Sequence, residues 1–196
     1  MKTPVDISGI RNITISGRIG TGKTTLALKL GEVLGWEVLD GGKLFRKITE
    51  ELGESIVHTR QRPDKFDLDY EDRIKKLLKE DKHHIVQSHL AGFDAQRIEG
   101  VFKILVICRN EIGDDKADIR IDRLMNRDGI SLEQAKHEIL EREEQNLEKF
   151  RRLYANNDSE WVYWDSKYYD LIVNTYSHNR EEALEFTLKE IGYKKI

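Results

Sequence analysis

Gly17-Arg18-Ile19-Gly20-Thr21-Gly22-Lys23-Thr24-Thr25 sets glycines, one lysine and hydroxyls in the spacing G-x-x-x-x-G-K-[ST]. That grouping suits phosphate. Glycines let successive backbone N–H groups converge on phosphate oxygens. Lys23 is placed to reach β- and γ-phosphates, and the Thr24 hydroxyl to ligate Mg²⁺, so ATP with Mg²⁺ is the expected ligand. A second group, Arg120, Arg123 and Arg127, recurs at helical spacing and so shares one helix face. Planar guanidinium donors match the oxygens of a moving phosphoryl group, over which charge is spread. The same arginines could instead form a solvated face paired with Asp118, Asp122 and Asp128. Their place after a strand in a phosphate-loop fold favours the catalytic reading.

The elements around these residues are legible. Asn12 to Ser16 is a short β-branched run that reads as a buried strand, and Leu26, Ala27, Leu28, Leu30, Val33 and Leu34 follow at helical spacing up to Gly35. Strand, glycine loop and helix are the context the loop requires. Trp36–Leu39 reads as a second strand, ending at Asp40-Gly41-Gly42, before a helix carrying Leu44, Phe45, Ile48 and Leu52. The polar stretch from Gly53 to Asp67 is expected to be a loop beside an acceptor site, with a helix from Leu68 to about Glu80. Further strands are expected at Ile85–Gln87, Val101–Cys108 and Leu171–Val173, and a last helix through Ala183 and Ile191.

Strands alternating with helices imply a parallel sheet with right-handed crossovers, which binds ligands beyond the strand C-termini. The expected architecture is a three-layer α/β phosphate-loop fold: one domain over 1–196, a five-stranded parallel sheet and a helical insertion at about 112–154. Within that insertion Ser131-Leu132-Glu133-Gln134 is a capping box. The charge run from Glu138 to Glu148 reads as helix surface. The aromatics Trp161, Tyr163, Trp164, Tyr168 and Tyr169 read as packing between the insertion's return and the sheet.

Composition narrows the class. The chain has 38% hydrophobic and 35% charged residues and a net charge of −3, which offers no general attraction to nucleic acid or membrane. Cys108 is the single cysteine, so an intrachain disulfide is excluded and a buried thiol is expected. No apolar run has membrane-spanning length and the first residues lack a signal-peptide core, which points to a cytoplasmic monomer or weak oligomer. His83 and His84 enter a strand, where neighbours face opposite ways, and make a poor metal pair. No N-K-x-D follows a late strand, which argues against a GTPase, and the third strand ends Gln87-Ser88-His89 without the acidic residue of larger ATPases. A small kinase with an arginine-bearing lid remains. Mutual repulsion of those arginines predicts a lid over 112–154 that closes when phosphates arrive.

The chain resembles the cytidylate kinases, in particular the short archaeal-type and cytidylate-kinase-like branches of the nucleoside monophosphate kinases. The likeness rests on Ile13–Gly17 leading into the phosphate loop, Leu39–Arg46, Ala117–Gly129 and Tyr169–Thr175. It implies transfer of the ATP γ-phosphoryl group to a monophosphate, CMP or dCMP first. The acceptor region is implied to lie at about 40–80, with Asp40, Arg46, His89, Gly92 and Arg142 as acceptor residues and Arg46 on the phosphate. Gly17, Gly20, Thr21, Gly22, Lys23, Thr24 and Thr25 are implied for ATP; Lys23, Arg120, Arg123 and Arg127 for catalysis. Where the family has Gly-Arg-Leu-Ala-Gly, this chain has Ser88-His89-Leu90-Ala91-Gly92. In the later helix Arg142-Glu143 is kept, while Asn146 and Lys149 replace an acidic residue and an arginine. Two alternatives stay open: a kinase for another small acceptor, and a nucleotide-binding regulatory protein without transfer activity.

Overall fold

A computed structural model describes residues 3–44 and 63–194. Its centre is β1 (Asn12–Gly17), whose six residues are all buried. Strand periodicity splits them: Ile13 and Ile15 face one side, Asn12, Thr14 and Ser16 the other. β1 pairs in parallel with β3 (His84–Gln87) and β4 (Val101–Ile107), in registers such as Ile13 with Ile85 and Ile15 with Ile104. β2 (Glu37–Asp40) and β5 (Leu171–Asn174) complete a five-stranded parallel sheet in the order β2-β3-β1-β4-β5.

The Ile13 face packs on α1 (Lys23–Leu34) and the last helix, α7 (Arg180–Glu190), through Leu26, Leu30, Leu34, Ala183 and Ile191. The other face meets α2 (Asp64–Glu80) and the short α3 (Ala91–Asp94) through Tyr70, Ile74, Leu78 and Ala91. Helices on both faces give the expected three layers. The insertion follows β4. It holds α4 (Ala117–Asp128), closed by a left-handed Gly129, and α5 (Leu132–Lys136), opened by the expected Ser131–Gln134 capping box. A π-helical segment, His137–Arg142, then leads without a break into α6 (Glu143–Tyr154). Among the described residues no helix is long and apolar enough to cross a membrane.

One expectation changes. α2 begins at Asp64, so Asp64–Asp67, read from the sequence as loop, form its first turn. Pro63 precedes that turn, and acidic Asp64 and Asp67 complement the helix dipole there. The sequence reading took polarity for irregularity, yet α2 buries Phe66, Asp67, Tyr70 and Ile74. Beyond β3, His89 and Leu90 run into the helical turn of α3. Residues 41–44 are helical, and the rest of the expected helix, with Phe45, Arg46, Ile48 and Leu52, lies outside the described residues.

Polar side chains fix the ends of elements as firmly as the core fixes their faces. Asn12 is fully buried; its amide donates to Leu78 O at 3.1 Å and Asp81 O at 2.9 Å, and its oxygen accepts the His84 N–H at 2.9 Å. It thereby ties the C-terminus of α2 to the start of β3. Arg11 adds bonds to Lys79 O and Asp81 O, a cation at the negative end of the same helix. Removing the Asn12 amide orphans a buried N–H and two carbonyls. Asn12→Ala is therefore expected to lower stability by about 2–4 kcal/mol in urea unfolding.

Candidate active site

The carboxyl ends of the strands bring Gly17, Asp40, Gln87, Cys108 and Thr175 to one edge, and the phosphate loop spans its middle. Gly17 has φ 151° and lies so close to β4 that a Cβ there would sit 2.3 Å from Val106 O. Gly20, at φ 76°, lets the loop touch α4, with Arg120 O 2.6 Å from where its Cβ would be. Only glycine fits either place. Gly22 caps α1 without a side-chain hydrogen bond, so the first-turn N–H groups from Lys23 onward face the edge with no internal acceptor. Thr24 and Thr25 lie half-buried on that turn. Thr21 is buried: its hydroxyl donates to Arg18 O at 2.9 Å and its carbonyl accepts from Thr175 Oγ1 at 2.8 Å.

Lys23 folds back over the loop, donating to Gly17 O at 2.7 Å and Arg18 O at 2.9 Å. Burial lowers its pKa from 10.5 to about 8; Arg120 and Arg127 push the same way, while Glu143 and Asp40 oppose them. Lys23, Arg127 and Asp40 are thus electrostatic neighbours, drawn from α1, α4 and β2. Asp40 also accepts the Lys43 N–H at 3.1 Å.

The three sequence-predicted arginines have different situations. Arg120 is fully buried; it donates to Ile19 O at 2.8 Å and pairs with Asp115 at 2.8 Å and Glu143 at 3.2 Å. Arg123 grips the end of β5, donating to Thr175 Oγ1 and Thr175 O, each at 2.8 Å, and reaches Cys108 Sγ at 3.6 Å. Arg127 is mostly exposed and, among the described residues, bonds its neighbour Asp128 at 2.6 Å and 2.7 Å. The expectation that they repel one another until phosphate arrives is corrected: two carboxylates already neutralise Arg120, and hydrogen bonds hold Arg123 in place. Cys108 is buried as expected, and burial raises its thiol pKa.

Glu143 is the residue that sequence reasoning missed. It lies inside a charge run read as helix surface, yet is 2% exposed. Its carboxylate accepts the Ile19 N–H at 2.9 Å and Arg18 Nε at 2.9 Å, with Arg18 Nη2 at 2.6 Å. Arg18 also pairs with Asp115 at 3.2 Å and stacks on Trp164, 4.7 Å from the ring centroid. A signal was present: Glu143, Asn146 and Phe150 recur at helical spacing on the buried face of α6. Asp115 and Arg18 carried none.

Of the residues expected at the acceptor, His89 has its Nδ1 3.2 Å from the Tyr163 hydroxyl. Gly92 donates its N–H to Ser16 Oγ at 2.9 Å, and a Cβ there would meet the Tyr169 ring at 2.4 Å. Packing therefore accounts for that glycine. Arg142 points away to Glu138, at 2.5 Å, one turn back on an exposed face. The structure does not bring it to the edge with the other candidates. Lys149, where the family pattern has arginine, is buried against Asp67 at 2.7 Å and Asp64 at 3.6 Å. Arg152 adds a two-pronged pair with Asp64, and Tyr154 bonds Glu71, so α6 is fastened along α2. Lys75 lies 3.6 Å from Glu71 and 3.7 Å from Asp94, and burial raises the pKa of both carboxyls. Trp161 and Tyr163 pack with Leu90 and Phe150 in one cluster, with Trp164 and Tyr168 against it, the packing role read from sequence. Arg46 lies outside the described residues.

No protein-family profile matches the chain. Curated relatives do. The chain is 33% identical over 182 residues to a cytidylate kinase of Ignicoccus hospitalis, covering 91% of this chain and 97% of that one. A cytidylate kinase of Saccharolobus islandicus is 30% identical, over 83% of this chain and 81% of its own. One from Haloarcula marismortui is 29% identical, over 91% and 88%. Among solved structures, an uncharacterized protein from Eubacterium ventriosum superposes with a TM-score of 0.64 at 17% identity, over 94% of this chain and 99% of that one. A shikimate kinase from Acinetobacter baumannii gives 0.52 at 16% identity, over 94% and 95%. A gluconokinase from Sinorhizobium meliloti gives 0.53 at 12%, over 92% and 91%. These structures share the fold.

The lowered Lys23 pKa has a measurable sign. The folded chain holds this proton less tightly than the unfolded one, so Lys23 lowers stability below about pH 8 and the penalty is relieved as pH rises towards 10.5. A polyphosphate beside Lys23 restores the charged form. Binding an ATP analogue at pH 8 is expected to take up about half a proton, measured by calorimetry in buffers of different ionisation enthalpy. Lys23→Met should abolish that uptake, leave the fold intact and lower phosphoryl transfer by about a hundredfold or more.

Proposed function

Because the chain belongs to the cytidylate kinase family, and so is an ATP-dependent nucleoside monophosphate kinase, we propose that its acceptor is CMP or dCMP. The observation that carries the reading is the meeting of Lys23, the uncapped first turn of α1 and Arg127 at the strand edge, inside a chain matched along most of its length by cytidylate kinases. An oxygen of the acceptor's phosphate attacks the γ-phosphorus of ATP. A new O–P bond forms as the bond to the β,γ-bridging oxygen breaks, and ADP leaves.

The chain's part is to position and to neutralise charge. The loop amides and Lys23 hold the β- and γ-phosphates; Lys23 exchanges its two carbonyl partners for phosphate oxygens. Arg127 is the mobile arginine of the three, since an exposed pair with Asp128 gives way readily. Arg120 and Arg123 hold the insertion in place. The Thr24 hydroxyl suits Mg²⁺, which takes one or two protein oxygens, several waters and substrate phosphates. Bound there, Mg²⁺ would offset charge on the β- and γ-phosphates. Residues 112–154 act as a lid that excludes water from the transfer. Asp40 lies within the field of Lys23 and Arg127, and Arg46 and His89 are assigned to the acceptor from the family pattern. Gly92 supports the site through its contact with Tyr169, and Arg142 is set aside as a surface residue.

One observation favours a second reading, transfer to another small acceptor. Lys149, at a family arginine position, is already held by Asp67 and Asp64. Steady-state kinetics with CMP, dCMP, UMP and AMP separate the two readings. Arg46→Ala is expected to raise the acceptor KM about tenfold to a hundredfold, the effect of one lost charge-assisted contact, with little change for ATP. His89→Arg is expected to tighten CMP binding. Absence of pyrimidine phosphorylation above background would refute the CMP assignment.

A further inference from the structure

The root of the insertion is fastened to the phosphate loop by a closed set of charges: Arg18 and Arg120 against Glu143 and Asp115. The fastening bridges distant parts of the chain, with Ile19 N–H to Glu143 spanning 124 positions and Arg120 to Glu143 spanning 23. Backbone joins in as well. Arg120 donates to Ile19 O while Glu143 accepts from Ile19 N, so one loop residue is held from both sides. The direct approach of Arg120 to Gly20 leaves no room between helix and loop.

A buried ion network is not by itself a stability device, because well-packed apolar residues in its place are often as stable. What it supplies is direction, since guanidinium forks and a carboxylate bond only along certain lines. We propose that Glu143 is a positioning residue: it sets the phosphate loop and the insertion's root in their ATP-binding arrangement before ATP arrives. This rests on the phosphate-loop reading of the donor site and not on the identity of the acceptor. Closure then involves the far end of α4, where Arg127 is exposed, and not the root. Removing the Glu143 charge leaves Arg18 and Arg120 sharing Asp115 alone, and the loop samples arrangements that do not bind ATP. Apparent affinity falls in proportion to the competent fraction.

The test uses the purified full chain and a fluorescent ATP analogue with Mg²⁺. Glu143→Gln keeps side-chain size and an acceptor for the Ile19 N–H while deleting the charge. The expected result is a Kd raised about tenfold to a hundredfold. ATP hydrolysis relative to transfer should rise as well, because a loose root admits water. A lowered thermal midpoint with Kd within about twofold of wild type would make Glu143 merely structural and overturn the proposal, as would no change in either. Should Glu143→Gln fail to fold, Asp115→Asn, at the half-buried rim of the same network, takes its place. A raised Kd in that variant supports the proposal and an unchanged one overturns it. The readout is donor binding, so a wild type that binds the analogue but phosphorylates no pyrimidine refutes the acceptor reading and leaves this one standing. A wild type that binds no analogue refutes the donor site and this proposal together.

Discussion

An ionised carboxylate taken out of water must be met by cations and N–H donors on nearly every side, or it will not stay ionised. Glu143, on α6, meets that demand with groups from two other elements, the phosphate loop and α4. Each donor is thereby constrained in turn. Arg18 is drawn under Trp164, Arg120 is turned inward from α4, and the Ile19 amide is held still beside Gly20. The apolar clusters around it, Ile121 with Leu124, Ala135 and Ile139 on one side and Phe150 with Tyr163 on the other, form walls that make those bonds the available ones.

Most of the architecture could be read from the sequence because its signals are local. The β-branched run before Gly17, the apolar spacing of α1, the stop at Gly35 and the box at Ser131 each act over a few residues, and each formed where expected. The strand, glycine loop and helix around Gly17–Lys23 were legible for the same reason. What could not be read depends on distant partners. Spacing placed Arg120, Arg123 and Arg127 on one face, but whether each bonds a carboxylate, a carbonyl or its own neighbour is decided by residues up to 101 positions away. Asp64–Asp67 were misread because polarity was taken for irregularity, although a helix can bury an aspartate once Lys149 is brought to it.

The acceptor side repeats that pattern of internal pairing. Lys149, Arg152 and Tyr154 of α6 meet Asp67, Asp64 and Glu71 of α2, and Lys75 lies between Glu71 and Asp94. Departures from the family pattern at Asn146 and Lys149 therefore do not leave gaps. They coincide with a tight bond between two helices. The phosphate loop and α2 are thus joined through α6, whose first turn bonds the loop and whose later turns bond α2.

The π segment at His137–Arg142 bears on how this chain can change. Each residue added to or removed from a helix rotates everything after it by about 100°. Wound as a regular α-helix, the same residues would turn Glu143 away from Arg18, and with it Lys149 from Asp67 and Phe150 from Tyr163. The π turn takes up one residue more than an α turn and so keeps these contacts in phase. Its wider winding behaves as a fixed phase between the half of the insertion that carries the arginines and the half that anchors them.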